Sequence, residues 1–272
     1  MKRRYVLQLG IFAVAEAAMA GHAFAQAPAR PAASHAALDD LLKRYVQGHA
    51  DGVNRVDYAR WKASVADVKA VKAYVAAVSA LPLSKLPRNE AFAAWANLYN
   101  AITLSVVLDR YPVASIRDIK SDGLLDPKAY FGPWRTKRVA VEGRLLSLDD
   151  IEHEIMRPTF KDPRVHYAVN CASIGCPSLP AKAWSEATLD ADLDQAARAF
   201  INHRRGVEVL ADGGLRVSSI YKWFAEDFGG EDAKVIAHLR KYAAPGLAAQ
   251  LANAKGIAAD QYSWALNEVA AR

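Results

Sequence analysis

The chain has 272 residues, 52% hydrophobic and 24% charged, with a mean hydropathy of -0.05. That composition excludes a disordered, collagen-like or multi-span protein, and the length suffices for a substantial core without staples. Thirty-five Lys and Arg against 29 Asp and Glu give a net charge of +6, but no basic run or aromatic-interleaved stripe accompanies it, so no nucleic-acid partner is expected.

Lys2, Arg3 and Arg4 precede a mostly apolar stretch from Tyr5 to Ala20, and Ala23 and Ala25 supply small residues before Gln26. This pattern predicts a secretory signal over residues 1–25, cut after Ala25. Gln8 and Glu16 interrupt a stretch already short for the roughly 20 residues of a spanning helix, so no integral membrane segment is expected after signal removal. Cleavage would leave 32 basic against 28 acidic residues. Export of this kind implies a periplasmic or secreted protein, in a compartment where thiols tend to oxidise. Residues 26–34 are rich in Ala and Pro and predict a flexible lead-in to a single domain over 35–272.

Leu38, Leu41, Leu42, Tyr45 and Val46 recur at helical spacing, predicting a helix over 35–48 with Ser34 as its cap. A second helix is expected over 61–80, before Pro82. The third and most periodic runs from Asn89 to Arg110, with Phe92, Trp95, Tyr99, Ile102 and Val106 at steps of three and four; it is expected to be central. A small hairpin follows over 139–146, turning at Glu142 and Gly143. Ser147 then caps a helix carrying Ile151, Glu152, His153 and Ile155, ended by Pro158. Residues 164–170 alternate and are rich in strand formers, predicting a strand. An amphipathic helix over 185–204, a second hairpin over 207–217, short helices near 219–228 and 231–243, and a terminal strand around Tyr262, Trp264 and Leu266 complete the reading. With no repeat, no long linker and no βαβ alternation, the fold class is α+β, predominantly helical with short hairpin-linked strands.

Chemistry concentrates between Asp162 and Pro177. On a strand, Arg164, His166 and Asn170 share one face, and Cys171 enters a turn with Ser173 and Gly175 whose backbone N–H groups would suit an oxyanion or carboxylate. Cys171 and Cys176 are the chain's two cysteines. They fit a disulfide closing a short loop, or a nucleophilic Cys171 with His166 or His153 as base, or a buried pair of thiols. Metal ligation suits them poorly, because four residues separate the cysteines and no His-x-x-x-His pair exists. His153 shares a helix face with Arg157, either as a site histidine or as a solvated helix end. Asn97 and Asn100 lie three apart on the central helix, where poor helix formers must bond a ligand or a neighbouring backbone. Trp61, Trp95 and Tyr99 read as core.

Several of these residues fall into a recognisable order. The run Phe92 to Ala101, with Trp95, Asn97, Tyr99 and Asn100, resembles a signature of the bacterial domain-of-unknown-function family 547. Tyr111, Pro112, Ser115 and Ile116, the box from Ser147 to His153, the core from Asp162 to Pro177, and Tyr262, Trp264, Leu266 and Asn267 are similar to further elements of that family. The resemblance covers about residues 55 to 267, departs at Ser263 and Ala265, and implies one domain with Asn97, Asn100, Glu152, His153, Arg164, His166, Asn170 and Cys171 as motif positions. It implies no activity, because the family has none agreed.

Two functions fit the residues. One is a thiol hydrolase or transferase of the cell envelope, with Cys171, His166 and His153 catalytic and Asn170 or Asn100 orienting the base or oxyanion. The other is a non-enzymatic module holding a small-molecule or peptide ligand of unknown identity against Asn97, Asn100, Glu152, Arg164, His166, Asn170 and Ser173, with a structural Cys171–Cys176 disulfide. Neither calls for a cofactor or a metal.

Overall fold

Helix α1 (Ala36–Tyr45) buries Leu38, Leu41, Leu42 and Tyr45, the stripe its sequence spacing requires. The computed structural model that shows this describes residues 34–120 and 132–269, so the expected signal peptide and most of the lead-in lie outside the described residues. His35 rather than Ser34 stands at the N-cap of α1. Strand β1 (Val46–Gln47) then pairs antiparallel with β2 (Arg55–Val56).

The single helix expected over 61–80 is two. Helix α2 (Tyr58–Ala63) stops where Ser64 turns extended, and the Ser64 side chain accepts the Asp67 N–H to start α3 (Val65–Ser79). A serine inside an apolar run acted as a cap because its oxygen can satisfy one of the orphan donors of a helix start. Helix α4 (Arg88–Arg110) is central, as its periodicity predicts, and is buried on nearly every side. By length and composition it would cross a membrane, but 94% of the relevant window is buried inside the fold, which makes it a core helix.

The hairpin of β3 (Val139–Val141) and β4 (Arg144–Leu146) turns at Glu142 and Gly143, both at positive φ. Such a pair of left-handed residues matches the twist of its strands. Beyond it the backbone winds as a π-helix from Asp150 to Met156, and α5 (Arg157–Phe160) continues it. Pro158 sits just past the junction of the two, and the helix it was expected to end continues through it to Phe160.

Residues 164–170 are the clearest departure from the sequence reading. They form a turn of helix, α6 (Val165–Ala168), rather than a strand. Asp162 initiates it by accepting the Arg164 N–H on its side chain (2.9 Å) and the Val165 N–H on its carbonyl (3.1 Å). Val165, Ala168 and Val169 then face the core of α1–α4 at helical spacing, while Tyr167 packs into a second core. A short β-branched run is ambiguous between the two periods, and packing between two cores decided it.

The second core gathers α7 (Leu189–Ile201), a sheet, and α8 (Ile220–Trp223), α9 (Asp232–Tyr242) and α10 (Pro245–Ala252). In that sheet β5 (Val207–Val209) pairs antiparallel with β6 (Leu215–Ser218), as the hairpin pattern predicts. The third strand is β7 (Ile257–Gln261), parallel to β6 with Val217 opposite Asp260. Neither α10 nor β7 follows from the sequence reading, which placed the last strand around 262–266. That segment is instead an irregular strap. The architecture is α+β and predominantly helical, and its site lies where strap, α4 and α6 meet.

Candidate functional site

Helix α4 positions the site through two buried asparagines. Asn97 donates to the Trp184 carbonyl (2.8 Å) and accepts the Trp184 N–H (2.9 Å). Asn100 donates to the Ala168 carbonyl (2.9 Å) and accepts the Asn170 N–H (2.8 Å). Both amides are therefore spent on backbone: Asn100 fixes the chain leading into the cysteines and Asn97 the chain that follows them.

Asn170 closes the loop that follows. Its Nδ2 donates to the Pro177 carbonyl (2.8 Å), while its Oδ1 accepts the Ala172 N–H (2.9 Å) and the Asn267 amide (3.2 Å). One side chain thus ties the entry of the 171–176 loop to its exit. Ala172 sits at φ 60, a left-handed conformation that costs a non-glycine residue about 1–2 kcal/mol. Strain held in place this firmly is a feature of functional loops. The strap supplies the remaining grip: Ile174 and Gly175 donate their N–H groups to the carbonyls of Ala265 and Ser263, each at 2.8 Å. A Cβ on Gly175 would lie 2.8 Å from the Ser263 nitrogen and the Tyr262 ring, so only glycine admits the strap. The N–H groups of Ala172, Ile174, Gly175 and Cys176 all have partners within the protein, so the turn does not present them to an oxyanion as the sequence suggested.

The sulfurs of Cys171 and Cys176 are free thiols; no disulfide joins them. The Cys171 N–H donates to Cys176 Sγ (3.1 Å), and the Tyr262 hydroxyl lies 3.0 Å from each sulfur. The buried Ser173 hydroxyl sits 3.1 Å from Cys171 Sγ and 2.9 Å from Tyr262 Oη. The two sulfurs share a hydrogen bond, and the pair holds its charge unequally. Burial would raise the Cys176 thiol, but donation from the Cys171 thiol, Tyr262 and a backbone N–H outweighs it and lowers Cys176. The same contact with Cys176, and then burial, push Cys171 well up. Cys176 is the more deeply buried of the two, and Cys171 is half-buried.

His166 belongs to a different cluster on the same cleft. Its Nε2 meets Asp227 Oδ2 at 2.6 Å, its Nδ1 faces Glu152 Oε1 at 3.6 Å, and Phe224 stacks on the ring at 4.4 Å. Burial opposes its protonation, yet the two carboxylates prevail and raise it. Burial likewise opposes ionisation of Glu152, and hydrogen bonds from His166 and Tyr99 with the charge of His153 lower it. Asp227 falls to about 2 against the same desolvation, because His166 and Arg157 both bond it. Glu152 and His166 thus form a buried ion pair. Both ring nitrogens of His166 face carboxylates, and the thiol beside Cys171 is Cys176. His153 stacks obliquely on Phe224 at 5.4 Å, with Arg157 3.4 Å from its Nδ1.

These groups open onto one cleft of about 170 Å³, lined by Glu152, His153, His166, Cys171, Cys176 and Tyr262, with Trp134, Trp223, Phe224 and Trp264 as aromatic walls. Of the residues expected at a site, Glu152, His153, His166 and Cys171 come together there, with Ser173 against the sulfurs. Asn97, Asn100 and Asn170 stand behind the cleft as supports. Arg164 lies apart, bonded to Asp162, Asp190 and Asp194 within 3.1 Å. Sequence reasoning missed Asp227 and Tyr262 as site members. Tyr262 had a signal, its place in the last of the ordered motifs; Asp227 had none. Arg205 was missed too: it donates to the Ile174 carbonyl (2.9 Å) and Ser178 Oγ (2.8 Å), bracketing Cys176 from behind.

Residues 83–201 match the model of a family described as a protein of unknown function, DUF547. That segment, somewhat under half of the chain, is similar to the DUF547 family. The matched DUF547 segment contains Asn97, Asn100, Glu152, His166 and both cysteines, while Asp227 and Tyr262 come from the chain beyond it. No curated protein and no solved structure matches the chain.

Proposed function

We propose that this protein is a thiol hydrolase or transferase acting in the cell envelope, exported through a cleaved signal at residues 1–25. The observation behind it is the pair of free, hydrogen-bonded thiols opening onto a cleft with a buried Glu152–His166 ion pair. The alternative, a binding module stapled by a disulfide, draws less support, because the thiols are free and the amides of Asn97 and Asn100 are occupied by backbone.

The half-buried Cys171 is the nucleophile, and Cys176, which holds the negative charge, takes its proton. The Cys171 sulfur attacks an ester- or thioester-class carbonyl; a C–S bond forms as the C=O electron pair moves to oxygen. Collapse of that intermediate expels the leaving group, which departs with the proton from Cys176. Water, or an acceptor nucleophile in a transferase, then gives its proton to Cys176 and attacks the thioester carbonyl; the C–S bond breaks, and Cys171 leaves as thiolate and takes the proton back from Cys176. Tyr262, whose hydroxyl burial holds protonated, is the donor nearest both sulfurs.

The test uses p-nitrophenyl acetate and intact-mass analysis of the reduced protein. An acetyl adduct on Cys171, absent from Cys171→Ser, is the expected result. Acetylation spread over lysines, with Cys171 unmodified, would leave the thiol reading without support.

A further inference from the structure

The thiol pair is built so that its two members can also react with one another. Tyr262 Oη stands 3.0 Å from each sulfur, and Ser173 Oγ stands 3.1 Å from Cys171 Sγ and 3.7 Å from Cys176 Sγ. The sulfurs are therefore held side by side by the same two hydroxyls. Most of the backbone around them is fixed by groups other than the sulfurs: Asn170 clamps Ala172 and Pro177, and the strap clamps Ile174 and Gly175, while the Cys171 N–H bonds Cys176 Sγ. Closing the pair to the roughly 2.05 Å of a disulfide asks for sulfur movement within a braced loop. Exposure is graded as exchange requires: both cysteines line the cleft, Cys171 half-buried and Cys176 buried.

We propose that the Cys171–Cys176 pair carries out thiol–disulfide exchange with low-molecular-weight disulfides, closing reversibly into a protein disulfide that silences acyl transfer. The inference rests on the same reading of the pair as the reacting group. Cys171 passes its proton to the Cys176 thiolate and attacks one sulfur of the external disulfide. A mixed disulfide forms and one thiolate leaves. Cys176 then attacks the Cys171 sulfur, expelling the second thiolate, which takes the Cys176 proton. The external disulfide is reduced to two thiols, one of them as thiolate, and the protein pair is oxidised by the same two electrons. The oxidised pair has no nucleophile left for a carbonyl.

The experiment treats the reduced full chain with oxidised glutathione and follows intact mass and free thiols, with dithiothreitol added at the end. Wild type is expected to lose both thiols without retaining glutathione, and to recover both in dithiothreitol. Cys176→Ser should accumulate a stable glutathione adduct on Cys171, because nothing resolves it, while Cys171→Ser should react about tenfold more slowly than wild type. A wild-type protein that retains glutathione, or that keeps two free thiols throughout, would overturn the exchange. An acetyl adduct on Cys171 in that same preparation would then leave acyl transfer standing; exchange without any acetyl adduct would have the converse meaning.

Discussion

Replacing Asn100 by Leu removes a buried amide without emptying its site, and the structure sets the cost. Asn100 serves two backbone groups, the Ala168 carbonyl and the Asn170 N–H. The Ala168 carbonyl keeps a second donor, the Trp184 indole N–H at 3.1 Å. Only the Asn170 N–H is orphaned, so the expected loss is that of one buried unsatisfied group, about 1–3 kcal/mol, and not twice that. For a domain of this size such a loss lowers Tm by roughly 2–4 °C per kcal/mol. The comparison is Lys72→Ala, which breaks an ion pair with Asp109 that is about half exposed on both sides and costs about 0–1 kcal/mol. Urea unfolding by circular dichroism, at equal m, measures the difference. Equal midpoints for the two variants would show that the Asn100 amide supports nothing, and the account of how α4 positions the cysteine loop would fall.

Three further outcomes are expected. His166→Phe strands Glu152 as a buried carboxylate without its partner and should cost about 3–5 kcal/mol at pH 5.5. Because His166 is raised, its stabilisation is complete below its unfolded value of about 6.5 and is lost as pH rises through the folded value. Because Glu152 and Asp227 are lowered, theirs is complete above about 4 and is lost as pH falls through their folded values. Wild-type Tm should therefore exceed that of His166→Phe most between about pH 4.5 and 6.5, and a gap unchanged from pH 3 to 9 would refute the ion pair. Arg205→Met should shift the onset of Cys176 ionisation to higher pH, since the guanidinium is a positive charge beside that sulfur; an unmoved titration of thiolate absorbance would remove Arg205 from the site. Expression in a Gram-negative host should yield a soluble form beginning at Gln26, and a full-length mass in the inner membrane would show an anchor in place of a signal.

Where one period dominated the sequence, the fold was legible. Helix α4, α1 and the two hairpins follow from spacing and turn residues alone. The misreadings fall where local pattern was balanced and packing decided: Ser64 as a cap inside an apolar run, Pro158 within a continuing helix, and Val165 to Val169 as one helical turn shared by two cores. The candidate site was legible in its residue types and not in their pairing. Glu152, His153, His166 and Cys171 do line one cleft, but no spacing rule joins His166 to Asp227, 61 residues on, or the cysteines to Tyr262. Asn97, Asn100 and Arg164 illustrate the complementary limit. A polar residue at a motif position reads alike whether it meets a ligand, a backbone or three aspartates, and only the fold distinguishes these.

The account depends most on an ionised thiol pair in the cleft, and the pH profile of iodoacetamide labelling of the reduced protein tests that directly. Wild type should label with a midpoint below the ordinary thiol value of about 8.5, and each single serine variant should move that midpoint upward, because Cys171→Ser takes the thiol donor from Cys176 and Cys176→Ser leaves only the thiol that burial raises. Labelling that begins only near the ordinary value, unchanged by either substitution, or two thiols that resist iodoacetamide until the protein unfolds, would contradict it.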